Sequence, residues 1–198
     1  REGCELVLIA GDIFHGPYTK QSFRILVRAL ADMEVPVFIT PGNHDFIAPD
    51  SPYMTEIWPE NVHIFKKAQI ESIVLPELNC KIYGAGYEAM DCPGLLKNFS
   101  VTDASGLHIG ILHSDPTQPA TPYAPMTTLQ LRQSGLDYLA LGHIHKSGSL
   151  RSGDTICAWP GCPMGKGFDE LGPKGVIVVR LEDAVTATFM PLDTPRFF

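Results

Sequence analysis

Four stretches of the chain are dominated by apolar residues, and each ends abruptly in glycine or a polar residue. Leu6 to Ala10 runs into Gly11-Asp12, and Val37-Phe38-Ile39-Thr40 is cut off by Pro41-Gly42. Leu107 to Leu112 delivers His113, and Tyr138 to Leu141 gives way to Gly142-His143. Short apolar runs bounded this way predict strands buried on both faces. Between the first two, Phe23, Leu26, Val27, Leu30 and Met33 recur at helical spacing and Pro36 closes the pattern, which predicts a helix of about four turns. Strand, helix and strand in that order predict a βαβ unit with a parallel sheet and a right-handed crossover.

The remaining pattern is weaker. Val62 to Phe65, Gln69 to Leu75 and Lys81 to Tyr83 predict shorter strands, preceded by a brief helix starting at Ser51-Pro52. Ser114 to Met126 carries Pro116, Pro119, Pro122 and Pro125 without periodicity, so it predicts a long loop of the kind that serves as a lid or binding loop. Thr127-x-x-Gln130 fits a capping box and Gly135 a C-terminal stop, framing a short helix. Ile156 to Trp159, Val176 to Leu181 and Val185 to Met190 complete a β-rich end with an antiparallel pair. No internal repeat or low-complexity tract is present.

Length and composition bound this picture. The 198 residues are 44% hydrophobic and 19% charged, which suits one domain spanning 1–198. The net charge of -7 argues against a nucleic-acid binder that relies on its own basic surface. Five cysteines (Cys4, Cys80, Cys92, Cys157, Cys162) without a C-x-x-C pair indicate neither a disulfide framework nor a zinc ribbon, so a reduced, cytoplasmic setting is expected. No apolar run reaches the roughly 18 to 20 residues of a membrane span, so no membrane partner is expected. Arg1 to Glu5 resembles neither a start nor a signal peptide, and the chain is expected to be one entered partway through.

The chemistry collects at the strand ends. Gly11-Asp12-Ile13-Phe14-His15, Gly42-Asn43-His44-Asp45 and Gly142-His143-Ile144-His145 each follow an apolar strand, and His113 ends a fourth. Open α/β sheets place ligands at such ends, so Asp12, Asn43, His113, His143 and His145 are expected on one rim of the sheet. Carboxylate, amide oxygen and imidazole without thiolate suit a divalent ion such as Mn, Fe or Zn in a catalytic site. His143 and His145 in extended backbone would project from one side about 6.6 Å apart and could serve two neighbouring metals, with Asp12 bridging. His44, adjacent to the ligand Asn43, would protonate the leaving alkoxide or stabilise the transition state. His63 and His108 are read as structural, Gly172-Pro173-Lys174-Gly175 as a turn, and Cys157 and Cys162 as buried thiols.

These blocks, G-D, G-N-H-D, a lone His and G-H-x-H in order, resemble the calcineurin-like metallophosphoesterase superfamily. That resemblance implies a β-sandwich flanked by helices (α-β-β-α layers), a dinuclear centre and attack by metal-bound hydroxide. It implies that Asp12 bridges the metals, that Asn43, His113 and His143 bind one, and that His145 completes the other. The finer blocks Gly11-Asp12-x-Phe14-His15, Asp137-Tyr138-x-Ala140-Leu141-Gly142-His143-Ile144-His145 and Trp159-Pro160-Gly161-x-Pro163 with Gly167-Phe168-Asp169-Glu170-x-Gly172-x-Lys174-Gly175 resemble the SbcD and YhaO-like DNA repair exonucleases. This resemblance implies that His15 handles the DNA phosphate. The expected activity is therefore phosphodiester hydrolysis on DNA, with manganese as metal, a coiled-coil SbcC-like ATPase subunit as partner, and a homodimer compatible with it. The family's D-x-H block is not found in Arg1 to Ala10, so two ligands of one metal and a first strand are expected to lie upstream, and no C-terminal partner-binding extension is expected. The alternatives are a phosphoesterase for small phosphodiesters or phosphoproteins, and a catalytically silent fragment.

Overall fold

A computed structural model describes residues 3–103, 105–165, 167–168, 170–182 and 184–195. Asp169, part of one block above, lies outside them. The first sheet is parallel and three-stranded, β1 (Val7–Ile9), β2 (Val37–Ile39) and β3 (Val62–Ile64), with β2 central. The second is six-stranded and mixed. It orders β4 (Glu71–Leu75), β5 (Cys80–Gly84), β6 (Leu107–His113), β7 (Tyr138–Gly142), β9 (Thr155–Trp159) and β8 (Gly148–Ser152) across its width. A terminal antiparallel hairpin, β10 (Gly175–Leu181) and β11 (Val185–Pro191), follows as the sequence predicts.

Strand alternation sorts the apolar residues into three layers. Phe38 of β2 meets Ile82, Ile109, Ile111 and Tyr138 of the second sheet in a middle layer, flanked by Ile177, Val179 and Ala187 of the hairpin. The opposite face of the first sheet, Val37 and Ile39, packs on Phe23 and Leu30 of α1 (Lys20–Ala31) with Phe14, Tyr53 and Trp58. Burying Phe23 and Leu30 contributes about 1.5 to 3 kcal/mol each. Leu112, Leu139, Leu141 and Trp159 face outward under Leu131 of α3 (Thr128–Gln133) and the loops around Leu96 and Met126. The result is the α-β-β-α sandwich. A capping box three residues wide closes each helix start: Thr19 with Ser22 on α1, and Thr127 with Gln130 on α3. The brief helix at Ser51-Pro52 is α2 (Pro52–Thr55).

Two local differences from the sequence reading have clear causes. β1 is half-buried instead of fully buried, because among the described residues it pairs only with β2 and forms an edge. β8 carries no apolar signal in Gly-Ser-Leu-Arg-Ser, and it too is an edge strand, recruited by antiparallel pairing with β9.

Candidate metal centre

β1 and β2 are neighbours in the first sheet, β6 and β7 in the second, and the C-terminal ends of all four meet at one end of the sandwich. The expected rim is therefore shared between two sheets. The stitch is His113, 1% exposed, whose Nδ1 lies 2.7 Å from the Ala10 carbonyl oxygen at the end of β1. A carbonyl only accepts, so Nδ1 carries the proton and Nε2 turns toward the site. Nε2 lies 3.0 Å from Asn43 Oδ1 and 3.3 Å from Asp12 Oδ2, and His143 Nδ1 lies 3.2 Å from the same Asn43 oxygen.

This donor set fits a divalent ion. Oxygen and imidazole nitrogen atoms converge at 3.0 to 3.3 Å, and neighbouring ligands about 2.1 Å from one ion and at right angles to it stand about 3 Å apart. Two oxygens that accept face an imidazole nitrogen whose partner already holds a proton, so one positive charge is wanted among them. Burial works to raise the Asp12 carboxyl, but without an ion a His113 protonated at Nε2 as well supplies a hydrogen bond and a charge that, with the His44 N–H donating to Oδ1 at 3.0 Å, bring it down to about 2. Burial and the neighbouring His113 lower the pKa of His143, which favours the neutral, ligating imidazole.

The backbone bends to achieve this. Asp12 (φ 56°) and His143 (φ 82°) occupy the left-handed region, uncommon for residues with a side chain and frequent where a site over-determines the geometry. At Gly42 a Cβ would overlap the Asp12 carboxylate, so the β2 turn can approach the ligand only as glycine. The positive φ at His143 also corrects the extended geometry expected for Gly142-His143-Ile144-His145. His143 turns in toward Asn43, while His145, half exposed, pairs through Nδ1 with Glu170 Oε1 at 2.7 Å.

Asp45 organises the two loops from below. Its carboxylate accepts from the N–H groups of Gly42 (2.7 Å), Asp12 (3.2 Å) and Phe14 (3.2 Å) and from the Tyr53 hydroxyl (2.6 Å). Sequence reasoning did not assign it a role, although its place in Gly42-Asn43-His44-Asp45 was the available signal. Glu170 and Lys174 stand in one of the finer sequence blocks, and Cys162 is read from sequence as a buried thiol, but sequence reasoning assigned none of them a role at the site. His15 and His44 are exposed, with ring centroids 4.1 Å apart. A cleft of about 230 Å³ beside His44, lined by Phe14, Tyr18 and Phe46, and another of about 290 Å³ beside His15 flank the pair. The proline-rich loop reaches the site through Tyr123, whose ring packs 5.1 Å from that of His143. His63 stacks on Phe38, and His108 is buried with Nδ1 3.2 Å from the Tyr83 hydroxyl.

Two facing sheets with a mixed oxygen and imidazole cluster at the strand ends are the setting of a metal-dependent phosphoesterase domain, and the chain belongs to the calcineurin-like phosphoesterase family, whose sequence profile matches residues 1–147. That family hydrolyses phosphoesters with divalent metals. The chain is also 33% identical over 196 residues to the uncharacterized metallophosphoesterase YhaO of Bacillus subtilis strain 168, a match covering 91% of this chain and 46% of that protein. It thus spans about half the length of that relative. Among the described residues no helix is long and apolar enough to cross a membrane.

Proposed function

We propose that the protein hydrolyses phosphodiester bonds in DNA, as the nuclease subunit of a DNA repair exonuclease. The observation that carries this is the exposed His15 and His44 pair, its rings tilted against each other beside the Asp12, Asn43, His113 and His143 group. Two imidazoles side by side suit a substrate that keeps an ester on each side of the phosphorus, since one can steady a non-bridging oxygen and the other give a proton to the departing one. A bound divalent ion, manganese in this reading, supplies Lewis-acid charge and lowers the pKa of water. Asp12, Asn43, His113 and His143 would hold it, and His145 would reach a second ion. His44 Nδ1 or Nε2 protonates the leaving alkoxide, and His15 orients the phosphate. Asp45 keeps both loops in register while this happens.

The -7 charge makes weak intrinsic DNA affinity the expectation, with a coiled-coil ATPase subunit supplying the basic surface. The cytoplasm is the setting that suits five unbridged thiols. The same charge favours a second reading, hydrolysis of small phosphodiesters. The test compares end-labelled linear DNA with a bis-aryl phosphodiester at matched Mn²⁺. Release of mononucleotides that stops on chelation supports the nuclease reading. Turnover of the aryl ester with DNA left intact refutes it, and no turnover of either leaves a silent scaffold.

A further inference from the structure

The stretch after Trp159 enters the sequence reading as a family block, a turn and a thiol without a role for any side chain, yet Cys162, Glu170 and Lys174 gather behind His145. Glu170 is 9% exposed at its side chain, with Oε1 2.7 Å from His145 Nδ1. Its other oxygen accepts the Cys162 S–H at 3.1 Å and lies 4.0 Å from the ammonium of Lys174, itself 5% exposed. Lys174 also donates to the Cys162 sulfur at 3.4 Å. The Cys162 N–H donates to the His145 carbonyl oxygen at 3.2 Å. Gly161 (φ 78°) permits that approach, because a Cβ there would overlap the same carbonyl oxygen.

We propose that Glu170 is a positioning residue for His145. Glu170 accepts the Nδ1–H, fixing the tautomer in which Nε2 carries the lone pair and faces outward from the strand end. Cys162 and Lys174 fix the carboxylate in turn. A buried carboxylate behind an exposed imidazole is the arrangement that orients ligating histidines, and here a chain of three side chains backs one ring. The consequence for catalysis rests on the reading of His145 as a ligand; the tautomer does not.

The test is long-range ¹H–¹⁵N correlation of the metal-free, ¹⁵N-labelled chain at a pH where the imidazoles are neutral. His145 is expected as the Nδ1–H tautomer in the wild type. Glu170→Ala should move it to the Nε2–H form that free histidine prefers, with His113 unchanged as a sign that the fold persists. Glu170→Gln, which keeps a neutral acceptor, should restore Nδ1–H. An Nε2–H tautomer in the wild type, a measurement that needs no variant to fold, overturns the proposal, as does an unchanged tautomer in Glu170→Ala. In Co²⁺ titrations Glu170→Ala should lower affinity about 10- to 100-fold. The expected tautomers with unchanged Co²⁺ affinity would uphold the positioning role and remove His145 from the ligand set.

Discussion

Asp45→Asn should destabilise the metal-free protein by about 2 to 4 kcal/mol. The Asp45 carboxylate is 7% exposed and is met by four donors, two on each oxygen. An amide in its place turns an NH₂ against two of them. The Tyr53 hydroxyl can reverse and accept; burial, then the Asp45 charge, push its phenol well above the usual range, so it is a donor in the wild type. The less costly orientation therefore places the NH₂ on the Tyr53 side, opposing the buried Phe14 N–H alone. One unsatisfied buried donor costs about 1 to 3 kcal/mol, and exchanging charge-assisted for neutral hydrogen bonds adds about 1 more. Urea unfolding in EDTA measures this: with a slope of about 2 kcal/mol/M the midpoint should fall by about 1 to 2 M. Tyr53→Phe removes one of the same bonds, so the two changes combined should cost less than their sum. Because Asp45 holds the loops that carry Asp12 and Asn43, Mn²⁺ affinity should also fall about 10- to 100-fold. A midpoint within about 0.3 M of wild type and unaltered Mn²⁺ affinity would show that the four hydrogen bonds do not set the geometry of the site.

His44→Ala should retain metal while turnover falls roughly 10²- to 10⁴-fold; loss of metal in elemental analysis would instead make His44 a ligand. The chain should hold one Mn²⁺ more tightly than a second, since Asp12, Asn43, His113 and His143 already converge and His145 has turned to Glu170; two fully occupied ions in anomalous scattering would contradict this. Burial pushes the thiols of Cys80, Cys92 and Cys157 up to about 11, with Asp137 and Glu88 adding to the first two. At pH 8 iodoacetamide should therefore label the exposed Cys4 first and these three only after unfolding, by peptide mass mapping; prompt labelling of any of the three would place it in an open environment.

The strands that deliver Asp12, Asn43, His113 and His143 were legible because both faces of each are covered and apolar runs follow from that. The partition into two sheets was not, since periodicity reports that a residue is buried and not against which sheet. Phe38 and Ile111 have the same signature whether their strands are paired or stacked. His145 was legible as a strand-end histidine, but its direction depends on the left-handed backbone at His143, which no sequence pattern announces. Glu170 lies 25 residues from His145 in an aperiodic stretch, so only the folded chain reveals their contact. Asp45 was visible within its motif, and what hid its role was that three of its four partners are backbone N–H groups, which every sequence supplies.

Because the Asp12 and Asn43 loops belong to one sheet and His113 and His143 to the other, an ion held among them is a rivet through the seam of the sandwich. Its ligands are separated by long stretches of sequence, so the loop-closure cost of assembling them falls late in folding. An interaction that forms after the rate-limiting step leaves the folding rate alone and slows unfolding. Metal loading should accordingly lengthen the lifetime of the native state without hastening its formation, making ion supply a control on turnover of the protein itself as well as on its chemistry.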